Sequence, residues 1–142
     1  LISAVGTLNE WYYYAQKANK QIQAIDHVLM NSANIGMIVH GDKANALART
    51  ADEGRDELIR DGKFRQLTSV SGDDCFIGCF DYLGGTALYA VNYSRKTKAN
   101  ITLNFDKKYG YEVIQRAVST EVAGKNLPLT LEAGEGVLIV LK

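Results

Sequence analysis

Apolar residues recur at alternating spacings of three and four through Leu8, Trp11, Ala15, Ala18, Ile22, Ile25 and Leu29. That period gathers them on one stripe of a helix. Thr7-Leu8-Asn9-Glu10 has the form of a capping box ahead of the stripe. Asn31, Ser32, Asn34 and Gly36 supply stop signals behind it. The pattern predicts one long helix over 7–31. From Gly36 the texture changes. Met37-Ile38-Val39 is a short apolar run closed by Gly41-Asp42. Residues 42–63 are polar and charged, with Leu47, Leu58 and Ile59 as anchors. They read as a long connection carrying one or two short strands.

Beyond Phe64, short strands and turns alternate at intervals of about ten residues. The predicted strands are 64–70, 74–82, 86–93, 99–105, 109–117, 127–131 and 136–141. Turn residues fall at Ser71-Gly72-Asp73, Gly84-Gly85, Arg95-Lys96-Thr97, Asp106-Lys107-Lys108, Gly124-Lys125-Asn126 and Gly134-Glu135-Gly136. Two kinds of strand emerge. In 99–105, Ile101, Leu103 and Phe105 alternate with Asn100, Thr102 and Asn104; in 127–131, Leu127, Leu129 and Leu131 alternate with Pro128 and Thr130. Such strands bury one face and wet the other, and Pro128 favours an edge. By contrast, 75–80, 87–91 and 137–141 are apolar on both faces, so both faces must be covered. A second sheet covers one, and the N-terminal helix is the long amphipathic element available for the other. The expected fold is mainly β: a two-sheet antiparallel β-sandwich, with one long N-terminal amphipathic helix packed on the outer face of one sheet.

Composition narrows the class. The 142 residues are 46% hydrophobic and 23% charged, which places the chain among folded globular domains rather than disordered ones. One domain over 1–142 is expected, with 7–31 a connecting helix and 36–142 the sandwich. Lys plus Arg and Asp plus Glu both count 16. Zero net charge argues against a nucleic-acid partner, which calls for a basic excess. No apolar run approaches the ~20 residues of a membrane helix. The chain begins at Leu1 without an initiator Met, which suggests a piece of a longer polypeptide.

Candidate chemistry is sparse. Cys75 and Cys79 lie four apart in a predicted strand, where their Cα atoms would stand roughly 13 Å apart. A disulfide needs less than about 7 Å. They are expected as reduced, buried, small hydrophobes, which favours a reducing compartment. Paired carboxylates would mark an acid–base site. Asp73, Asp74, Asp81 and Glu112 are available, but the first two read as a solvated turn pair and the others lie on different strands. His27 and His40 have no ligand partners at metal-binding spacing. No nucleophile elbow, phosphate loop or dinucleotide fingerprint appears, so no catalytic residue, metal or cofactor is assigned. Asn92-Tyr93-Ser94 and Asn100-Ile101-Thr102 fit the glycosylation sequon, but both fall in strands. The unusual feature is Trp11-Tyr12-Tyr13-Tyr14. Four consecutive helical residues spread about 300° around the axis, more than one sheet covers. Tyr13 and Tyr14 point off the apolar stripe and are the candidate interdomain contacts.

The segment Leu127-Pro128-Leu129-Thr130-Leu131-Glu132-Ala133-Gly134-Glu135-Gly136-Val137-Leu138-Ile139-Val140 resembles the closing strands of many bacterial glycoside hydrolases. In these a β-sandwich follows a TIM-barrel catalytic domain. Ala87-Leu88-Tyr89-Ala90-Val91-Asn92-Tyr93-Ser94 is similar to a strand of the same domains, and Ile25-Asp26-His27-Val28-Leu29-Met30-Asn31 to a connecting helix. The resemblance covers about residues 8–142. It implies a non-catalytic accessory domain whose partner is an upstream catalytic domain of the same polypeptide. The family's catalytic carboxylates lie on the barrel, so none is carried over. A carbohydrate-binding module and a domain that self-associates through the helix face are the other classes open.

Overall fold

The computed structural model describes residues 10–51, 58–59 and 61–142, with side chains over 20–47, at 59 and over 61–142. Two helices and eight strands follow in the order α1 (Glu10–Leu29), β1 (Ser32–His40), α2 (Asp42–Ala51), β2 (Leu58–Ile59), β3 (Leu67–Gly72), β4 (Cys75–Tyr82), β5 (Gly85–Asn92), β6 (Ala99–Gln115), β7 (Val118–Leu131) and β8 (Gly136–Leu141). The chain is mainly β, as expected. All eight strands belong to one hydrogen-bonded sheet rather than two separate ones, in the order β2-β1-β4-β5-β8-β6-β3, with β7 also on β6. Every pairing is antiparallel except β1 with β2.

The sheet curls because β6 is long enough to have different neighbours along its length. Its first half lies between β3 and the end of β7; its second half lies between β8 and the start of β7. Between Asn104↔Asn126 and Tyr109↔Gly124, β6 advances five residues while β7 advances two. Such a bulge bends the hairpin and increases its twist. Phe105, Tyr109 and Tyr111 bridge the bend, with ring centroids 4.9–6.5 Å apart. The expected turns at Asp106-Lys107-Lys108 and Gly124-Lys125-Asn126 are therefore the two sides of one bulge. The predicted strands 99–105 and 109–117 are a single strand, and the strand expected at 127–131 begins at Val118. The real turn is Arg116-Ala117, with φ of 52° and 64°. Two-residue hairpin turns with both φ positive usually carry Asn-Gly, so nothing in Arg-Ala announced it.

The strands apolar on both faces carry two clusters. Ile77, Cys79, Leu88, Val137 and Ile139 join Leu103, Leu129 and Leu131 in the main core, inside the curl. Ala87, Leu138, Val140 and Ile114, on the other face of those strands, pack against Val28 of α1. The helical face differs from the expected stripe. Val28 is 1% exposed, with Ala24 and Ile25 partly buried beside it, while Ile22 is 58% exposed and Leu29 lies exposed as well. The buried face is turned by roughly a quarter of the circumference from the stripe, at 100° per residue. The other stripe residues, Leu8, Trp11, Ala15 and Ala18, and the capping box lie outside the described side chains. Asn31 Nδ2 donates to His27 O at 2.7 Å and Ser32 Oγ to Val28 O at 2.6 Å, satisfying carbonyls left open by the last turn.

The short strand expected within 42–63 is β2, whereas helix α2 corrects the reading of the stretch before it as a connection. The apolar period of α2 is carried by alanines, good helix formers but weak core markers, and among its described side chains Ala44 is the buried one. Its N-terminus is capped from a distance. Asp74 Oδ2 accepts from Lys43 N at 2.8 Å and Ala44 N at 3.0 Å, the role usually filled by the residue just before a helix. Gly41, with φ +97°, permits this, because a Cβ there would overlap the Asp74 carboxylate.

Candidate functional site

A cleft of about 480 Å³ lies between α1, the Arg116-Ala117 turn and the 132–136 turn. Gln21, Ile22 and Ile25 form the helical wall; Tyr89 and Ile114 form the floor. The Gly-Glu-Gly turn is built by short contacts. Glu135 N donates to Glu132 O at 3.0 Å, and Gly134 N donates to Ser94 O at 2.8 Å. Gly134 has φ +69°. Gly136 has no Cβ because the Tyr89 ring and hydroxyl occupy that space.

Glu135 is the hub. Its carboxylate accepts from Glu132 N at 3.0 Å, Gln115 Nε2 at 2.8 Å, Arg116 Nη2 at 3.1 Å and Arg116 Nε at 2.7 Å. Arg116 also reaches Glu132 at 3.4 Å, and Lys98 approaches the same carboxylate at 3.6 Å. Burial, then the Glu135 charge, raises the Tyr89 phenol above its usual value. A carboxylate holding four donors is a brace for two turns and has little capacity left to take a proton from a substrate. The cleft presents apolar groups beside this charged brace.

The sequence candidates are scattered and engaged elsewhere. Asp81 sits at the β4–β5 turn, where Arg65 Nη2 donates to it at 2.7 Å and Gly84 N at 3.0 Å. The Arg65 hydrogen bond, followed by that of Gly84, lowers its pKa. Glu112 accepts from Ser119 Oγ at 2.6 Å. Asp73 and Asp74 are more than a solvated turn pair: Asp74 caps α2, and Asp73 Oδ2 accepts from Asn100 N at 2.8 Å. His27 is exposed in the last turn of α1, and His40 Nε2 lies 3.0 Å from Gly72 O. Among the described residues no three His, Cys, Asp or Glu side chains gather as metal ligands. Cys75 and Cys79 are free and buried, and burial pushes both thiols up to about 12. Asn92 is 3% exposed; its amide donates to Thr97 O at 2.8 Å and Glu132 O at 3.0 Å. In the folded chain that sequon is a structural tie. Tyr13 and Tyr14 belong to α1, but their side chains lie outside the described residues.

Sequence reasoning missed Arg116, Gln115 and Tyr89. Their one signal was the Gly-Glu-Gly turn, which places Glu135 but not its partners. No protein-family model, no curated protein and no solved structure matches the chain.

Proposed function

We propose that this chain is a non-catalytic accessory domain of a carbohydrate-active enzyme, stabilising or shaping a TIM-barrel catalytic domain that precedes it in the polypeptide. In this reading the curled sheet works as two layers of a sandwich sharing the β6–β7 hairpin, with α1 laid across the outer face of one. The observation that carries it is the tail that resembles the closing strands of glycoside hydrolases: it forms the end of β7, a braced turn and β8 at the centre of the core. The carboxylates a stand-alone hydrolase would use, Asp81 and Glu112, are tied into structural contacts. Ile22, Leu29, Met30 and Ile35 are exposed on α1 and at its junction with β1, and exposed apolar side chains of this size suit a domain contact. Ile22→Ser with Met30→Ser is expected to leave the isolated chain within about 1 kcal/mol of its parent, as surface changes do. The same pair should lower the melting temperature of a polypeptide that includes the upstream domain. Equal effects in both, or aryl-glycoside turnover by the isolated chain lost in Asp81→Asn, would overturn the reading.

The cleft favours carbohydrate binding as a second reading, because it presents Tyr89, Gln21, Arg116 and Glu132 around apolar walls. Titration with soluble oligosaccharides, with Arg116→Ala as the control, separates it from the first.

A further inference from the structure

The start of β7 is an open edge. Strand β7 pairs with β6 alone, and among the described residues no strand lies along its other side. Residues 118–123 are all exposed. The Arg116-Ala117 turn makes Gln115↔Val118 its closing pair, so Val118, Thr120 and Val122 spend their backbone groups on β6. Ser119, Glu121 and Ala123 then aim theirs outward, toward no partner strand.

The side chains along this edge are unusual for one. Thr120 opposes Val113 and Val122 opposes Tyr111, both members of the main core, so Val118, Thr120 and Val122 stand on the inner face. Yet Val118 is 61% and Val122 39% exposed. Beside Val122 opens a slot of about 430 Å³ lined by Val113, Leu127 and Leu129 and by polar groups that include Arg116 and Glu132. Proteins guard edges with proline, lysine or inward charges. Lys125 and Pro128 guard the later half of β7, whereas 118–123 has Glu121 alone, on the outer face and bound to Lys142 at 3.3 Å.

We propose that this edge is a homodimer interface, in which two copies pair β7 antiparallel about a two-fold axis at Thr120. The register follows from the sequence. Centred there, Val118 faces Val122 of the second copy, Thr120 faces Thr120, and Ser119 faces Glu121. The outward backbone groups of 119 and 121 then meet as hydrogen-bonded pairs, and Val118 of one copy packs on Val122 of the other at the mouth of each slot. Shifting the axis to Glu121 sets two carboxylates against each other, and like charges directly opposite are unfavourable. The contact is isologous, as a closed two-fold dimer requires.

Sedimentation velocity on the full chain, from about 10 µM to about 1 mM, covers the range for an interface this small. A reversible dimer is expected. Val118→Lys and Val122→Glu should each weaken association at least about tenfold. The double variant should recover it, because the introduced ammonium of one copy then faces the introduced carboxylate of the other across the axis. Amide exchange on the unaltered chain gives an independent readout: Ser119 and Glu121 should gain protection as concentration rises. A monomer throughout, protection at Ser119 that does not depend on concentration, a dimer indifferent to Val118→Lys, as one through α1 would be, or failure of the double variant to recover would each overturn the proposal.

Discussion

The two halves of β7 pair with the same strand and share almost nothing else. Over 127–131 the strand alternates buried leucines with exposed Pro128 and Thr130, and its leucines close the main core. Over 118–123 every residue is exposed, although the alternation continues, shifted by one residue at the bulge so that Val118, Thr120 and Val122 stand on the inner face. Pairing and periodicity are therefore not what buries a strand. The later half is covered because the sheet curls over it; the earlier half lies beyond that cover.

The largest expected effect tests this directly. Leu131→Ala, at a fully buried position, should cost about 2–5 kcal/mol by chemical denaturation, whereas Val118→Ala in dilute protein should stay within about 0.5. Similar values for the two would erase the contrast. A smaller effect is expected at the bend between the halves. Tyr111 Oη donates to Gly124 O at 2.7 Å across the bulge. Tyr111→Phe keeps the ring and leaves that carbonyl without its partner, so a loss of about 1–2 kcal/mol is expected. No loss would show that the aromatic stack alone holds the bend. The smallest effect is at the hairpin tip. A non-glycine residue in the left-handed region costs about 1–2 kcal/mol, and glycine returns part of that as chain entropy. Ala117→Gly should therefore raise stability by about 0.5–1 kcal/mol, visible as a higher denaturation midpoint.

The same contrast explains what the sequence made legible. Strands β4, β5 and β8 stand out because continuous apolar runs such as Val137-Leu138-Ile139-Val140 must be covered on both sides, and two clusters cover them. The early half of β7 was invisible because its exposed Ser, Thr and Glu read as a connection. The turn at Arg116-Ala117 was missed because tertiary pairing, not residue preference, holds those positive φ angles. Along α1 the apolar period was real, but the sheet takes the face of Val28 rather than that of Ile22 and Leu29. Of the cleft, only the Gly-Glu-Gly turn was readable; Arg116 arrives from the β6–β7 turn and Tyr89 from β5, both distant in sequence.

Helix α2 also sets an order of events in time. A ten-residue helix is marginal on its own, and the carboxylate that caps it is Asp74, 31 residues after Lys43. During synthesis at about 5–20 residues per second, residues 42–51 are therefore complete roughly one to five seconds before their cap exists. The helix gains this cap only once β4 has been made and paired with β1.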